Sequence, residues 1–296
     1  MQTIDPDQIP SLQLHRLLLG AIAPRPIAFA STIDKEGNPN LSPFSCFNVF
    51  GVNPTTLIFS PSRRGRDNTV KDTYLNVKEV PEVVINVVTF NMVHQASLAS
   101  TEYPRGTNEF IKSGFTQVPS EKIRPFRVKE SPVQIECKVR QVIETGSGGG
   151  SANLIFCEVL LVHINKDVFD EYGLIDPDKI NLVGRMGGDY YVKASGKAVF
   201  TVPKPNEKMS MGIDALPEQV RMSDVLTGNE LSRMGSLENF PSAVEIAAKS
   251  KSDIVQQMHI KYAGDPEMLI ENIHLLARDL IAKGEINEAI LLLLTI

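Results

Sequence analysis

The chain has 296 residues, of which 42% are hydrophobic and 22% charged, with 13 Phe, 6 Tyr and no Trp. That is the composition of a packed globular protein and excludes a disordered one; the length suits one domain of about 180–200 residues plus a smaller unit. The formal net charge of −5 falls in the last third, where residues 203–296 carry nine Lys and Arg against fourteen Asp and Glu, while the first 202 residues balance. An acidic C-terminal part repels phosphate backbones, so nucleic acid is not an expected partner.

Three cysteines, Cys46, Cys137 and Cys157, cannot all pair within the chain and form no C-x-x-C, which fits a reducing compartment. Residues 1–10 are polar and show no secretory signal. The longest apolar run, 289–294, is far short of the ~20 residues of a membrane helix, so a cytoplasmic location without membrane contact is expected.

Residues 26–202 read mainly as strands. The run 26–33, the turn cluster at 34–38 and a second run at 41–52 predict a hairpin, and 56–59 a further strand. Residues 67–77 read as a helix with Asp67 as its side-chain N-cap. The β-branched run EVVINVV at 82–88 predicts a strand covered on both faces. A short helix is expected at 91–100. Val133, Ile135, Cys137 and Val139 alternate with polar residues, and the slip at Val142 suggests a bulge or the strand's end. GSGGGS at 146–151 then reads as a flexible hairpin tip before another apolar strand at 154–164. Many antiparallel strands with short helices point to a β-barrel.

Beyond residues 203–208 the pattern turns helical, with Leu269, Ile273, Leu276 and Leu280 at helical spacing and shorter patterns at 217–226, 229–234, 241–249 and 286–294. A domain of 1–204 followed by an all-α extension, 205–296, is the expected division.

Common catalytic signatures are missing. There is no P-loop and no G-x-S-x-G, and Ser151 stands where a dinucleotide fingerprint needs its last glycine. The five histidines lack metal-ligand spacing, and His163 in its apolar strand reads as a satisfied interior or edge residue. Cys137 and Cys157 read as small hydrophobes on adjacent strands. One constellation remains, SPSRRGRDNTVKDT at 60–73, where three arginines, a lysine and several hydroxyls surround a predicted helix start. Such a site suits a phosphate; a solvated basic turn is the other reading.

Taken together, APRPIAFAST at 23–32, GNPNLSPFS at 37–45, SPSRRGRDNTVKDTYLN at 60–76, ESPVQIEC at 130–137 and GRMGGDY at 184–190 resemble, in order and spacing, the flavin reductase-like family of FMN-binding split barrels, in its flavoredoxin-like branch. The resemblance implies a mainly β, six-stranded Greek-key split barrel that binds FMN without a covalent bond near a homodimer interface. It implies a flavin reductase-like oxidoreductase that passes electrons from NAD(P)H through FMN to free flavin or another acceptor, with a flavin-dependent oxygenase or electron-transfer protein as partner. An electron carrier without its own nicotinamide site is the alternative. By the same resemblance Asn40, Ser42, Phe44 and Ser45 lie beside the isoalloxazine, while Ser60, Arg63, Arg64, Lys71 and Thr73 hold the phosphate and ribityl chain. Arg185 approaches from a late loop of its own or the partner subunit. No side chain is expected to act as a catalytic acid or base, because the flavin carries the chemistry, and no metal is expected.

Two departures stand out. Shorter relatives carry Gly-Asp-His before the penultimate barrel strand, associated with nicotinamide; here 151–154 reads SANL. The helical extension lies beyond the core family and is expected to pack on the barrel, thicken the dimer or bind a partner.

Overall fold

The computed structural model describes residues 1–204 and 209–296. The chain forms two compact units, Met1–Phe200 and Thr201–Ile296. The boundary expected after residue 204 opens onto 205–208, which lie outside the described residues.

In the first unit α1 (Ser11–Ala21) leads into β1 (Ala28–Ile33), β2 (Pro39–Phe44), β3 (Phe47–Val52) and β4 (Thr55–Phe59). Then come α2 (Asp72–Glu79), β5 (Glu82–Val87), α3 (Val93–Leu98) and α4 (Glu109–Ser113). The short β6 (Gln117–Val118) and β7 (Arg127–Val128) precede the long pair β8 (Val133–Glu144) and β9 (Asn153–Ile164). Finally α5 (Pro177–Ile180) is followed by β10 (Leu182–Arg185) and β11 (Tyr191–Ala194).

The main sheet is antiparallel, in the order β2-β1-β5-β8-β9-β4-β3. It holds seven strands where six were expected, because the single run read at 41–52 is two strands. β2 ends at Phe44 and β3 begins at Phe47, and they occupy opposite edges of the sheet. A link of two residues reaches only about 10 Å, so the end of β2 and the start of β3 lie close together at that corner and the sheet is curled rather than flat. The hydrophobic effect favours the curl, because it gives β1 two covered faces. Ala28 and Ala30 pack inside with Phe44, Phe59, Ile85 and Ile155, while Phe29 packs outside with Leu41, Phe110 and Phe115. Phe29 and Phe115 meet edge to face at 5.1 Å.

The β8–β9 hairpin runs from Val133↔Ile164 to Glu144↔Asn153, with register shifts at Glu136/Cys137 and Val139/Gln141. The apolar slip seen at Val142 therefore comes from a bulge just before it. Cys137 and Cys157 are buried in the inner core, and burial pushes the Cys137 thiol up to about 12. His163 Nε2 lies 2.8 Å from Oε1 of Glu136, a fully buried carboxylate that also accepts from the backbone N–H groups of Glu121 and Lys122.

The second unit is helical: α6 (Glu218–Arg221), α7 (Gly228–Gly235), α8 (Ala243–Ser250), α9 (Asp253–Lys261), α10 (Pro266–Ala282) and α11 (Ile286–Leu293). Its core gathers Leu231, Met234, Val255, Ile273, Ala277, Ile281, Ile290 and Leu293. The sequence reading passes over α9 because that helix buries only Val255, too little to mark a stripe. No helix among the described residues is long and apolar enough to cross a membrane.

Candidate functional site

The arginine-rich segment is a closed loop rather than the first turn of a helix. α2 begins at Asp72, with Lys71 in the N-cap position. Asp67 does not cap it: its Oδ1 accepts from the Thr69 amide (3.0 Å) and hydroxyl (2.6 Å), and Asn68 takes a left-handed φ of 60°. Those local bonds compete successfully with helix formation. They also hold the Asp67 carboxyl down at about 2, the Thr69 hydroxyl contributing most. Arg64 N donates to Thr69 O and Asn68 N to Arg64 O, which closes the loop.

The glycine-rich tip clasps this loop, so the flexible-tip reading is corrected. Arg63 N donates to Ser151 O at 2.9 Å and Gly150 N to Arg63 O at 3.1 Å; Asn68 Nδ2 reaches Ser147 O and Asn153 Nδ2 reaches Pro61 O, both at 2.9 Å. A Cβ on Gly149 would stand 3.1 Å from the carbonyl oxygens of both Arg64 and Gly65. Glycine serves close backbone approach here.

Beside the loop lies a narrow cavity of about 20 Å³, enough for a water. Asn40, Ser42, Arg64, Lys71 and Thr73 line it together with Ser100, Glu102 and Glu109. Arg63 and Ser60 do not. Arg63 spends its guanidinium on Asn68, Nε to Oδ1 and Nη2 to O, both at 2.7 Å, and Ser60 Oγ lies 3.4 Å from Ser62 Oγ. Arg64 Nη1 donates to Thr69 Oγ1 and Val70 O, and its Nε donates to Glu102 Oε1 at 3.0 Å. The Glu102 carboxylate also pairs closely with Arg66 and lies 3.9 Å from Lys71 Nζ. Three cations thus converge on one anion. Burial, and after it the Arg64 and Arg66 charges, lowers the Lys71 ammonium below its ordinary range.

Behind the wall runs a buried polar network. Asn40 Nδ2 donates to Glu109 Oε1 at 3.1 Å, and Leu41 N to Glu109 Oε2 at 3.0 Å. Asn40 Oδ1 accepts from Thr73 Oγ1 at 2.8 Å and Thr32 Oγ1 at 3.3 Å, and Asn76 reaches Thr32 in turn. Burial raises the Glu109 carboxyl above its usual range. Asn40 and Thr73 are therefore fixed by the fold, and their positions lock β2 to α2 and α4.

β2 leads from this narrow cavity into a wider one of about 260 Å³, and Ser100 borders both. Pro43, Phe44 and Ser45 line the wider cavity with Arg25, Ile27, Ser97, Arg185, Met186 and Tyr191. Arg185 Nη1 donates to the Tyr191 hydroxyl at 2.6 Å and its Nη2 to Gly188 O at 2.7 Å, Nη2 also lies 4.0 Å from Asp189 Oδ1, and the guanidinium stacks 4.7 Å from the Tyr191 ring centre. The glycines of GRMGG let this segment approach the N-terminal one. A Cβ on Gly184 would lie 2.7 Å from Pro24 Cβ, and one on Gly187 would lie 2.9 Å from Gly20 Cα.

Eight of the ten expected site residues thus border one trough: Asn40, Ser42, Arg64, Lys71 and Thr73 at its narrow end, Phe44, Ser45 and Arg185 at its wide end. Sequence reasoning missed Glu102, Glu109 and any role for Arg25 beyond its motif. Only the PRP setting of Arg25 could have hinted; the two glutamates carry no local signal. Among the described residues no group of three His, Cys, Asp or Glu side chains is placed to hold a metal.

Curled antiparallel sheet, clasped arginine loop and trough together define a flavin reductase like domain, and the model of that family matches residues 20–181. The chain belongs to the flavin reductase-like family. An uncharacterized protein of Aquifex aeolicus is 38% identical over 189 residues, covering 64% of this chain and 94% of its own. Among solved structures, nitrilotriacetate monooxygenase component B from Bacillus cereus superposes with a TM-score of 0.63 at 27% identity, covering 68% of this chain and 98% of its own. The flavoredoxin of Desulfovibrio vulgaris (Miyazaki F) shares the fold, with a TM-score of 0.52 at 22% identity over 61% of this chain and 90% of its own. The family model ends before β10, so Arg185 and the helical unit lie outside it.

Proposed function

We propose that the trough binds FMN and that the protein is an oxidoreductase passing electrons from NAD(P)H through FMN to free flavin or another acceptor. The carrying observation is the polarity of the trough: a small cavity walled by Lys71 and Arg64 opens along β2 into a wide one walled by Ile27, Phe44 and two arginines. The donor set fits a phosphate at the first end, where a carboxylate already draws three cations together. It fits a planar ring with a polar edge at the second. FMN supplies the hydride and electron chemistry when bound.

The chain's own residues position and select. Lys71 and Arg64 receive the phosphate as Glu102 withdraws from them. Phe44 and Ser45 present backbone groups to the ring's polar edge, and Arg185, pinned by Tyr191 and Gly188, closes the far side. Arg63 and Ser60 act one layer back, holding the loop that carries Arg64. The curled sheet is read as the family's split barrel. A homodimer is supported by the apolar edge strand β3, where Phe50 is 64% and Val52 88% exposed. The likeness to a monooxygenase component supports an oxygenase as one acceptor.

The absorption spectrum of the purified protein and the mass of what heat releases test the binding. Rapid mixing with NADH or NADPH tests the donor: bleaching of bound flavin faster than that of free FMN is expected. One observation favours the electron-carrier reading instead. Asn153, in the stretch SANL, is buried and committed to Pro61 O, so that stretch offers structure rather than a nicotinamide contact. Bleaching no faster than that of free FMN decides for the carrier.

A further inference from the structure

Arg25 starts the strand run of the PRP motif and lines the wider cavity. It is only 9% exposed, yet among the described residues no carboxylate pairs with it. Its guanidinium is held by carbonyls: Nη1 donates to Ile22 O at 2.9 Å and also to Leu19 O, and Nη2 donates to Met186 O at 2.9 Å. Nε is buried without a partner. Carbonyl dipoles orient and partly solvate such a cation, but they leave its net charge in place. An arginine cannot shed the proton as a buried lysine or histidine would, so the charge is permanent.

The neighbour across the ladder makes this costlier. Arg25 and Arg185 face each other in an antiparallel bridge, Arg25 N to Arg185 O at 2.9 Å and Arg185 N to Arg25 O at 2.8 Å. Like charges directly opposite one another repel, and no Asp or Glu lines the cavity that both border. Elsewhere in the trough the fold supplies a counter-charge, since Arg64 has Glu102. Arg185 has the exposed Asp189 beside it, Nη2 4.0 Å from Oδ1, whereas Arg25 has no acid among the described residues, so a permanent, buried positive charge stands over a partly apolar cavity.

We infer that Arg25 is the fixed, uncompensated charge of the ring site, and that it favours the reduced, negatively charged state of the bound flavin over the oxidised, neutral one. This rests on the FMN reading above. The consequence is a reduction potential set higher than the cavity's shape and hydrogen bonds alone would give. Arg25 acts through its field rather than by touching the reacting atoms, so its effect is on potential and not on proton transfer.

The test compares the midpoint potential of FMN bound to the full-length wild type, Arg25→Gln and Arg25→Lys, each measured by reductive titration against a reference dye. Arg25→Gln is expected to weaken binding of reduced FMN at least tenfold relative to oxidised FMN, lowering the midpoint by about 30 mV for a two-electron couple. Arg25→Lys keeps the charge but loses the fork that grips three carbonyls, and it is expected to stay near the wild-type potential while melting at a lower temperature. Equal drops in both variants, or none in Arg25→Gln, overturn the inference and leave Arg25 as a staple. Should Arg25→Gln fail to fold, Arg25→Met, which also removes the charge, takes its place beside Arg25→Lys, a tenfold relative loss of reduced FMN in Arg25→Met alone supporting the inference and an unchanged potential overturning it. A wild type that binds no FMN removes the functional reading and this inference with it, an outcome distinct from either variant result.

Discussion

The two ends of the trough treat positive charge in opposite ways. At the narrow end Arg64, Arg66 and Lys71 surround Glu102, while Arg63 is satisfied by Asn68. At the wide end Arg25 and Arg185 face each other, and no acid shares their cavity. The difference shows that a count of basic residues does not measure the pull on an anion. Cations that already share a carboxylate gain only the difference between two anions, whereas Arg25, which holds none while Arg185 has Asp189 at 4.0 Å, expresses its whole field. The narrow end is therefore built for exchange of one anion for another, and the wide end for a standing bias.

Four measurements would break or sharpen this contrast. Lys71→Ala should have the largest effect, because it deletes a half-buried cation facing the narrow cavity. A lost charge-assisted bond of about 1.5–3 kcal/mol corresponds to roughly a ten- to hundredfold weaker FMN, read by fluorescence quenching. Unchanged affinity would place the phosphate elsewhere. Gly149→Val should follow: its Cβ would press on two carbonyl oxygens of the clasped loop. That overpacking costs about 1–3 kcal/mol, visible as a lower melting temperature and weaker FMN together.

Glu102→Gln should act in the other direction. Removing the internal competitor should tighten FMN about fivefold, on the scale of about 1 kcal/mol for a part-exposed ion pair, while riboflavin, which has no phosphate, should bind as before. Equal tightening of both ligands would mean that Glu102 acts through the fold instead. The smallest effect is that of pH. Because burial, and after it two neighbouring arginines, lowers the Lys71 ammonium, its charge is lost at a lower pH than that of an ordinary lysine. FMN affinity should therefore decline on the alkaline side earlier than an ordinary lysine would dictate, and Lys71→Arg should remove that decline.

Much of the fold is legible along the chain because it rests on local periodicity. The alternation of Val133, Ile135, Cys137 and Val139, the β-branched run of β5 and the Leu269–Ile273–Leu276–Leu280 stripe of α10 each mark an element. The helix expected from residue 67 fails for an equally local reason: the side chains of Asp67 and Thr69 bond each other and Asn68 turns left-handed, so the helix waits until Asp72. The run at 41–52 is misread because nothing in its apolarity shows the corner at Ser45 and Cys46, where one strand becomes two.

The residue types of the site could be read from the motifs, but not their pairings. The sequence by itself determined that basic and hydroxyl groups follow a strand, that glycines punctuate 146–150 and 184–188, and that an acidic helical segment comes last. The tertiary structure alone decided that Glu102 enters the arginine loop, that Glu109 holds Asn40, and that Arg25 meets Arg185 across some 160 intervening positions. The reason is one of range. Periodicity and turn chemistry act between near neighbours in the chain, while charge and hydrogen bonding depend on distance in space, which the curl of the sheet sets.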